Sequence, residues 1–153
     1  MAAIVEDFED STLLFGFSSG TWVRSTARVY RGSYAFSNSD IGDSNTVSTT
    51  ATAPAGATGL QFMYSVSSEQ NYDFLRVYID GAEKIAVSGE VSWTQSALFP
   101  VSPGSTITFN YSKDSSSSPG LDAAFIDDVT FIVPDGPQRA IAGPAAVVRA
   151  AVW

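Results

Sequence analysis

The chain has no cysteine and no histidine. Without cysteine there are no disulfides, no thiolate zinc site and no cysteine nucleophile. Without histidine a Ser-His-Asp triad cannot be assembled. Basic residues are scarce, eight Lys and Arg against sixteen Asp and Glu, for a formal charge of −8. No basic stripe is available to neutralise phosphates, so nucleic acid is not an expected partner. No apolar run approaches the roughly 20 residues of a membrane-spanning helix, so no membrane partner is expected either. The opening MAAIVEDFED lacks the basic region and apolar core of a secretory signal, which predicts synthesis in the cytosol without the usual export route. There is no Gly-rich loop opening a helix to cradle phosphate. No sustained helical stripe occurs before the tail.

What is present describes a strand-and-turn protein. Of 153 residues, 44% are hydrophobic and only 16% charged, a balance that fits one ordered domain with a sizeable core. Ile4–Phe8 is a short strand candidate ending in Glu6, Asp7, Glu9 and Asp10. Gly16, Gly20, Gly32 and Gly42 punctuate the next stretch of chain, and Arg28–Ser37 reads as two strand pieces about a turn. Asn45–Thr50 is a β-branched strand candidate. Leu60, Phe62, Tyr64 and Val66 alternate with their neighbours, as do Leu75, Val77 and Ile79. Asp80-Gly81 between that last run and Glu83–Val87 is a strong hairpin signal. Trp93–Val101 and Thr106–Tyr111 are expected to pair around Ser102-Pro103-Gly104. Short strands at such intervals predict an all-β fold, a two-sheet antiparallel β-sandwich of the jelly-roll kind. It should span residues 1–133, with residues 134–153 forming a separate apolar C-terminal arm.

The stretch Lys113–Phe131, KDSSSSPGLDAAFIDDVTF, runs from a serine loop into a strand carrying adjacent carboxylates. At the two-residue period of a strand, Phe125, Asp127, Val129 and Phe131 share one face, and their apolar majority predicts that this face looks into the core. Asp127 is then buried, and a bare buried charge is costly. Hydrogen bonds from a loop backbone, an opposed Arg or Lys, or a bound Ca²⁺ would each satisfy it.

A family resemblance rests on motifs in fixed order: Asp7-Phe8-Glu9, Trp22, Tyr72-Asp73, Tyr78-Ile79-Asp80-Gly81, Ser88-Gly89, Trp93, Tyr111-Ser112-Lys113-Asp114, and Asp122 to Val129. Over residues 5–133 the chain resembles the MAM/laminin-G-like (concanavalin-like) jelly-roll modules of bacterial surface proteins and carbohydrate-active enzymes. The resemblance implies a two-sheet jelly roll that mediates adhesion or glycan binding, with a structural Ca²⁺ tying the first strand to the last. By position, the implied metal residues are Asp7 or Glu9 with Asp127, and secondarily Asp128. The tail after Pro134 is no part of such a module.

Glycan binding needs exposed aromatic faces beside polar groups. Tyr72, Phe74 and Tyr78, with Trp22 and Trp93, could supply rings, and Asn71, Asp73 and Arg76 hydrogen bonds. Phe74, Arg76 and Tyr78 fall on the face opposite Leu75 and Val77, and so could form a solvent-facing platform unless loops or a neighbour cover it. A glycosidase would need two opposed carboxylates. Glu69, Asp73, Glu83 and Glu90 are available, but their spacing places no pair, and the chain reads as non-enzymatic.

Two functions fit these features. The first is a display module on a symmetric assembly, a bacteriophage virion-surface protein such as a capsid decoration, head-fibre or tail-surface protein. It would be a homo-oligomer made in the host cytoplasm and held to other assembly proteins by its arm, where Val147, Val148, Val152 and Trp153 would be buried. Pro144 would open a short helix in that arm. The alternative is an extracellular or cell-surface carbohydrate-binding module that holds polysaccharide on the aromatic platform.

Overall fold

The computed structural model describes residues 2–17, 20–115 and 120–134. The arm residues Val147, Val148, Val152 and Trp153, and the helix expected after Pro144, lie outside them. Eleven strands make up the described chain: β1 (Ala2–Glu6), β2 (Trp22–Ser25), β3 (Ala35–Asn38), β4 (Thr46–Thr52), β5 (Gly59–Ser67), β6 (Phe74–Ile79), β7 (Ala82–Ser88), β8 (Glu90–Gln95), β9 (Phe99–Pro100), β10 (Thr106–Ser112) and β11 (Ala123–Val133). No helix occurs among the described residues. The all-β, two-sheet antiparallel sandwich is as expected.

One sheet has seven strands, ordered β2-β3-β11-β5-β8, with β1 also on β11 and β9 also on β5. The other has four, ordered β4-β10-β6-β7. β11 is the spine of the larger sheet. Its first half pairs with β3 through Phe125 and Ile126, and its second half pairs with β1 from Val129 to Val133. Along its other edge it pairs with β5. Leu75, Val77 and Ile79 of β6 and Ile107, Phe109 and Tyr111 of β10 point inward. They meet Leu60, Phe62, Val66, Ile126, Val129 and Phe131 of the larger sheet. Phe8 stacks on Phe36 at 4.7 Å with Phe17 edge-on to both, closing one side of the core.

Three local expectations differ. Trp93–Val101 and Thr106–Tyr111 do not pair. The first run splits into the end of β8 and the whole of β9, both on β5, while β10 lies between β4 and β6 in the other sheet. The Ser102–Ser105 turn, closed by Ser105 N–H donating to Ser102 O at 3.0 Å, therefore carries the chain between sheets. Arg28–Ser37 yields only one strand, β3, because residues 26–34 form a loop whose arginines are drawn over the larger sheet.

The third difference concerns the face of Asp127. The β5 register slips between Asp127 and Thr130, and Asp128 sits at φ 45°. This bulge adds a residue and inverts the alternation. Ala124 and Ile126 face the core before it, and Val129 and Phe131 after it. Phe125 and Asp127 thus lie on the outer face of the sheet. Both are buried all the same, because the loop of residues 26–34 covers them. The Arg28 guanidinium lies 5.7 Å from the Phe125 ring centre, and Arg31 N–H reaches Asp127.

Candidate functional site

The carboxylates implied as metal residues gather where β1 meets β11, but mostly with protein donors. Glu9 accepts the Ser33 and Tyr34 N–H groups at 2.8 and 3.0 Å, one on each oxygen. Asp7 accepts Glu9 N–H at 3.1 Å. Asp128 pairs with Arg31 at 2.6 Å. Asp127 accepts Asp128 N–H at 2.7 Å and Arg31 N–H at 3.4 Å. Asp7, Glu9 and Asp128 line one shallow cleft with Arg31 beside them, so a cation is already part of the group. Burial pushes the Asp127 carboxyl up to about 7; the Asp128 and Glu9 charges add to this, and the two N–H donors oppose it. Glu6 belongs here too. Its buried oxygens accept the Phe8 and Leu14 N–H groups at 2.7 and 2.6 Å, so the N-terminal acids act largely as backbone acceptors in turns.

The outer face of the four-stranded sheet has a different character. Alternation along β6 leaves Phe74, Arg76 and Tyr78 half-exposed while Leu75, Val77 and Ile79 are buried. Antiparallel register then builds three cross-strand rows. Phe74 lies between Ser112 and Ser88, Arg76 between Asn110 and Ala86, and Tyr78 between Thr108 and Glu83. β4 extends these rows with Thr46, Ser48 and Thr50. The Arg76 guanidinium sits 4.4 Å over the Phe74 ring and is held by Ser112 Oγ at 2.9 Å and by Glu83 at 3.5 Å. Asn110 Nδ2 donates to Ser48 Oγ at 2.8 Å. Tyr72 stands exposed (58%) where the chain enters β6. The face offers rings, hydroxyls, an amide and a fixed guanidinium on rigid strands.

The other expected sugar contacts fall elsewhere. Trp22 is fully buried, its indole nitrogen 3.4 Å from Val47 O, and belongs to the core. Asp73 is also fully buried. Trp93 is half-buried on the outside of the larger sheet, against Tyr30 and Phe125 at 5.8 and 6.4 Å. Asn71 is exposed in a left-handed turn at φ 70°. Among the acids weighed for hydrolysis, Glu83 pairs with Arg76 and Glu90 with Arg28. Glu69 and Asp73 come together with Asp114, but the burial of Asp73 keeps a glycosidic oxygen from reaching it. Sequence alone does not show that grouping, because Asp114 is remote along the chain and only the pairing of β6 with β10 joins the segments.

No family model and no curated protein sequence matches the chain. Among solved structures, the chain is similar to the secreted serine protease VesC from Vibrio cholerae, with TM-score 0.55 and 18% identity over 64% of this chain and 21% of that one. It is similar to the K2 cleaved adhesin domain of Lys-gingipain, with TM-score 0.54 and 16% identity over 86% and 98%. It is also similar to a structure of carbohydrate-binding modules of the β-sandwich superfamily, with TM-score 0.54 and 15% identity over 82% and 60%. The chain thus spans about a fifth of the protease and three-fifths of the last structure. At these identities the likeness is one of fold: a β-sandwich of the kind used by carbohydrate-binding modules.

Proposed function

We propose that this chain is a non-enzymatic carbohydrate-binding module that holds polysaccharide on the outer face of its four-stranded sheet. The observation that carries the reading is the row of Phe74, Arg76 and Tyr78 on one strand, half-exposed and flanked by Ser48, Asn110 and Ser112. A sugar ring presents an apolar C–H face and equatorial hydroxyls. Aromatic rings meet the first, and the guanidinium, amide and hydroxyl groups meet the second. Because Arg76 is pinned by Ser112 and Glu83, little side-chain entropy remains to be lost on binding. The fold shared with carbohydrate-binding modules supports this reading, as does that shared with a secreted protease and an adhesin domain. All three favour an extracellular or cell-surface setting.

Display on a bacteriophage virion rests on sequence features alone, among them the absence of cysteine and the apolar residues 134–153, and gains no support from the shared folds, so the sugar-binding face is the reading we adopt. A glycan array probed with the wild-type chain and with Tyr72→Ala, Phe74→Ala and Tyr78→Ala tests it. Binding that falls at least tenfold in the folded Phe74 and Tyr78 variants is expected. Equal binding by wild type and variants, or no glycan bound at all, overturns the proposal.

A further inference from the structure

Glu69 and Asp73 lie at the two ends of the turn joining β5 to β6, and Asp114 follows β10. One carboxylate oxygen from each lies within 4.8 Å of the others. Among the described residues this is the one such group of three acids. The turn is closed by Tyr72 and Asp73 N–H groups donating to Glu69 O at 3.2 and 3.0 Å. Asp114 N–H donates to Asp73 Oδ1 at 2.9 Å. Asp73 Oδ2, on a side chain with no exposed surface, has no hydrogen-bond partner. Glu69 Oε1 is likewise shut from solvent and unpartnered.

A buried carboxylate oxygen without a donor is costly, and mutual repulsion among three acids adds to the cost. The neighbouring Lys113 ammonium, paired with Asp122 at 2.6 Å and Asp43 at 3.8 Å, offsets part of this charge, lowering the pKa of Glu69 and Asp73 against burial. We propose that Glu69, Asp73 and Asp114 form a binding site for a hard divalent cation, Ca²⁺. All-oxygen donors on two turns suit an ion that takes many oxygens in adaptable geometry. Burial first, then the neighbouring acids, raises the pKa of both Glu69 and Asp73, which is the pressure a cation would relieve. The ion would tie the β5–β6 turn to the end of β10. It would thereby fix the turn that carries Tyr72 into the aromatic row, and its binding does not depend on whether sugar binds there.

The test uses the full chain stripped with EDTA and desalted. Calorimetry should show one Ca²⁺ per chain. Thermal melting should rise by roughly 5–10 °C at a hundredfold excess of Ca²⁺ over Kd. Glu69→Gln and Asp73→Asn should lose both responses, and Asp128→Asn, at the β1–β11 junction, should keep them. If Asp73→Asn fails to fold, Glu69→Gln at the half-buried position carries the test. Absence of Ca²⁺ binding overturns the assignment. So does loss of the response in Asp128→Asn with retention in Glu69→Gln. Melting of Glu69→Gln above wild type in EDTA, with no Ca²⁺ heat in either, would mean that the acids share a proton instead, and would also overturn it.

Discussion

Replacing Asp127 with Asn isolates what the β11 bulge does to a carboxylate. Asp127 has no exposed surface, and burial pushes its carboxyl from the ordinary 3.8 up to about 7. The folded chain therefore keeps a proton that the unfolded chain has released between about pH 4 and pH 7. Stability must fall as pH rises through that window. A gap of about three units, at roughly 1.4 kcal/mol per unit, sets an upper figure of about 4 kcal/mol lost between pH 4 and pH 8. Asn at this position keeps an acceptor for Asp128 N–H and has no charge to desolvate. Urea unfolding in EDTA at pH 4.5, 6, 7 and 8 reads the effect. The Asp127→Asn variant should lose less stability than wild type as pH rises, and should be the more stable of the two at pH 8. A residual slope from Glu69 and Asp73, which are raised in the same direction, should remain in both. Parallel curves for wild type and variant would refute the reasoning.

Two further perturbations probe the loops that frame the sheets. Gly32 sits at φ +77°, and a Cβ there would meet the Glu9 carboxyl carbon at 2.5 Å. Gly32→Ala should push Glu9 off the Ser33 and Tyr34 N–H groups and strain the backbone, costing about 2–3 kcal/mol in denaturant unfolding; a cost under about 0.5 kcal/mol, the range of an ordinary surface change, would contradict this. Lys113 is nearly inaccessible. Burial works against its charge, but Asp122, Asp73 and Asp43 outweigh that and hold the ammonium pKa above its ordinary value. Lys113→Met should leave Asp122 Oδ2 without its ammonium, while Tyr111 O–H still donates to Oδ1 at 2.8 Å, and should cost on the order of 2–3 kcal/mol, discounted because Asp122 is partly exposed; unchanged stability would show the pair to be dispensable.

The strands that read clearly in the sequence are those whose alternation is unbroken. Leu75, Val77 and Ile79 face inward as the two-residue period requires. The hairpin at Asp80-Gly81 forms with both residues at positive φ, 49° and 85°. β11 departs from its periodicity at one point, since a bulge leaves no mark in the hydrophobic pattern. Asp127 is buried, as its apolar neighbours imply, yet it faces outward and is sheltered by the distant loop that carries Arg31. Sheet membership is hidden as well. The turn at Ser102–Ser105 looks like a hairpin turn locally, and only packing decides that it crosses between layers. The rings of β6 are legible because their face follows from parity. The Glu69–Asp73–Asp114 group is not, because it depends on which strands become neighbours.

Nitrogen-15 chemical-shift mapping, with the oligosaccharide bound best on the array, tests the sugar-binding face most directly. Saturable shifts concentrated at Phe74, Arg76, Tyr78 and Asn110 are expected, with the larger sheet unmoved. Shifts centred on Tyr30 and Trp93, on the opposite side of the sandwich, would contradict sugar binding on this face.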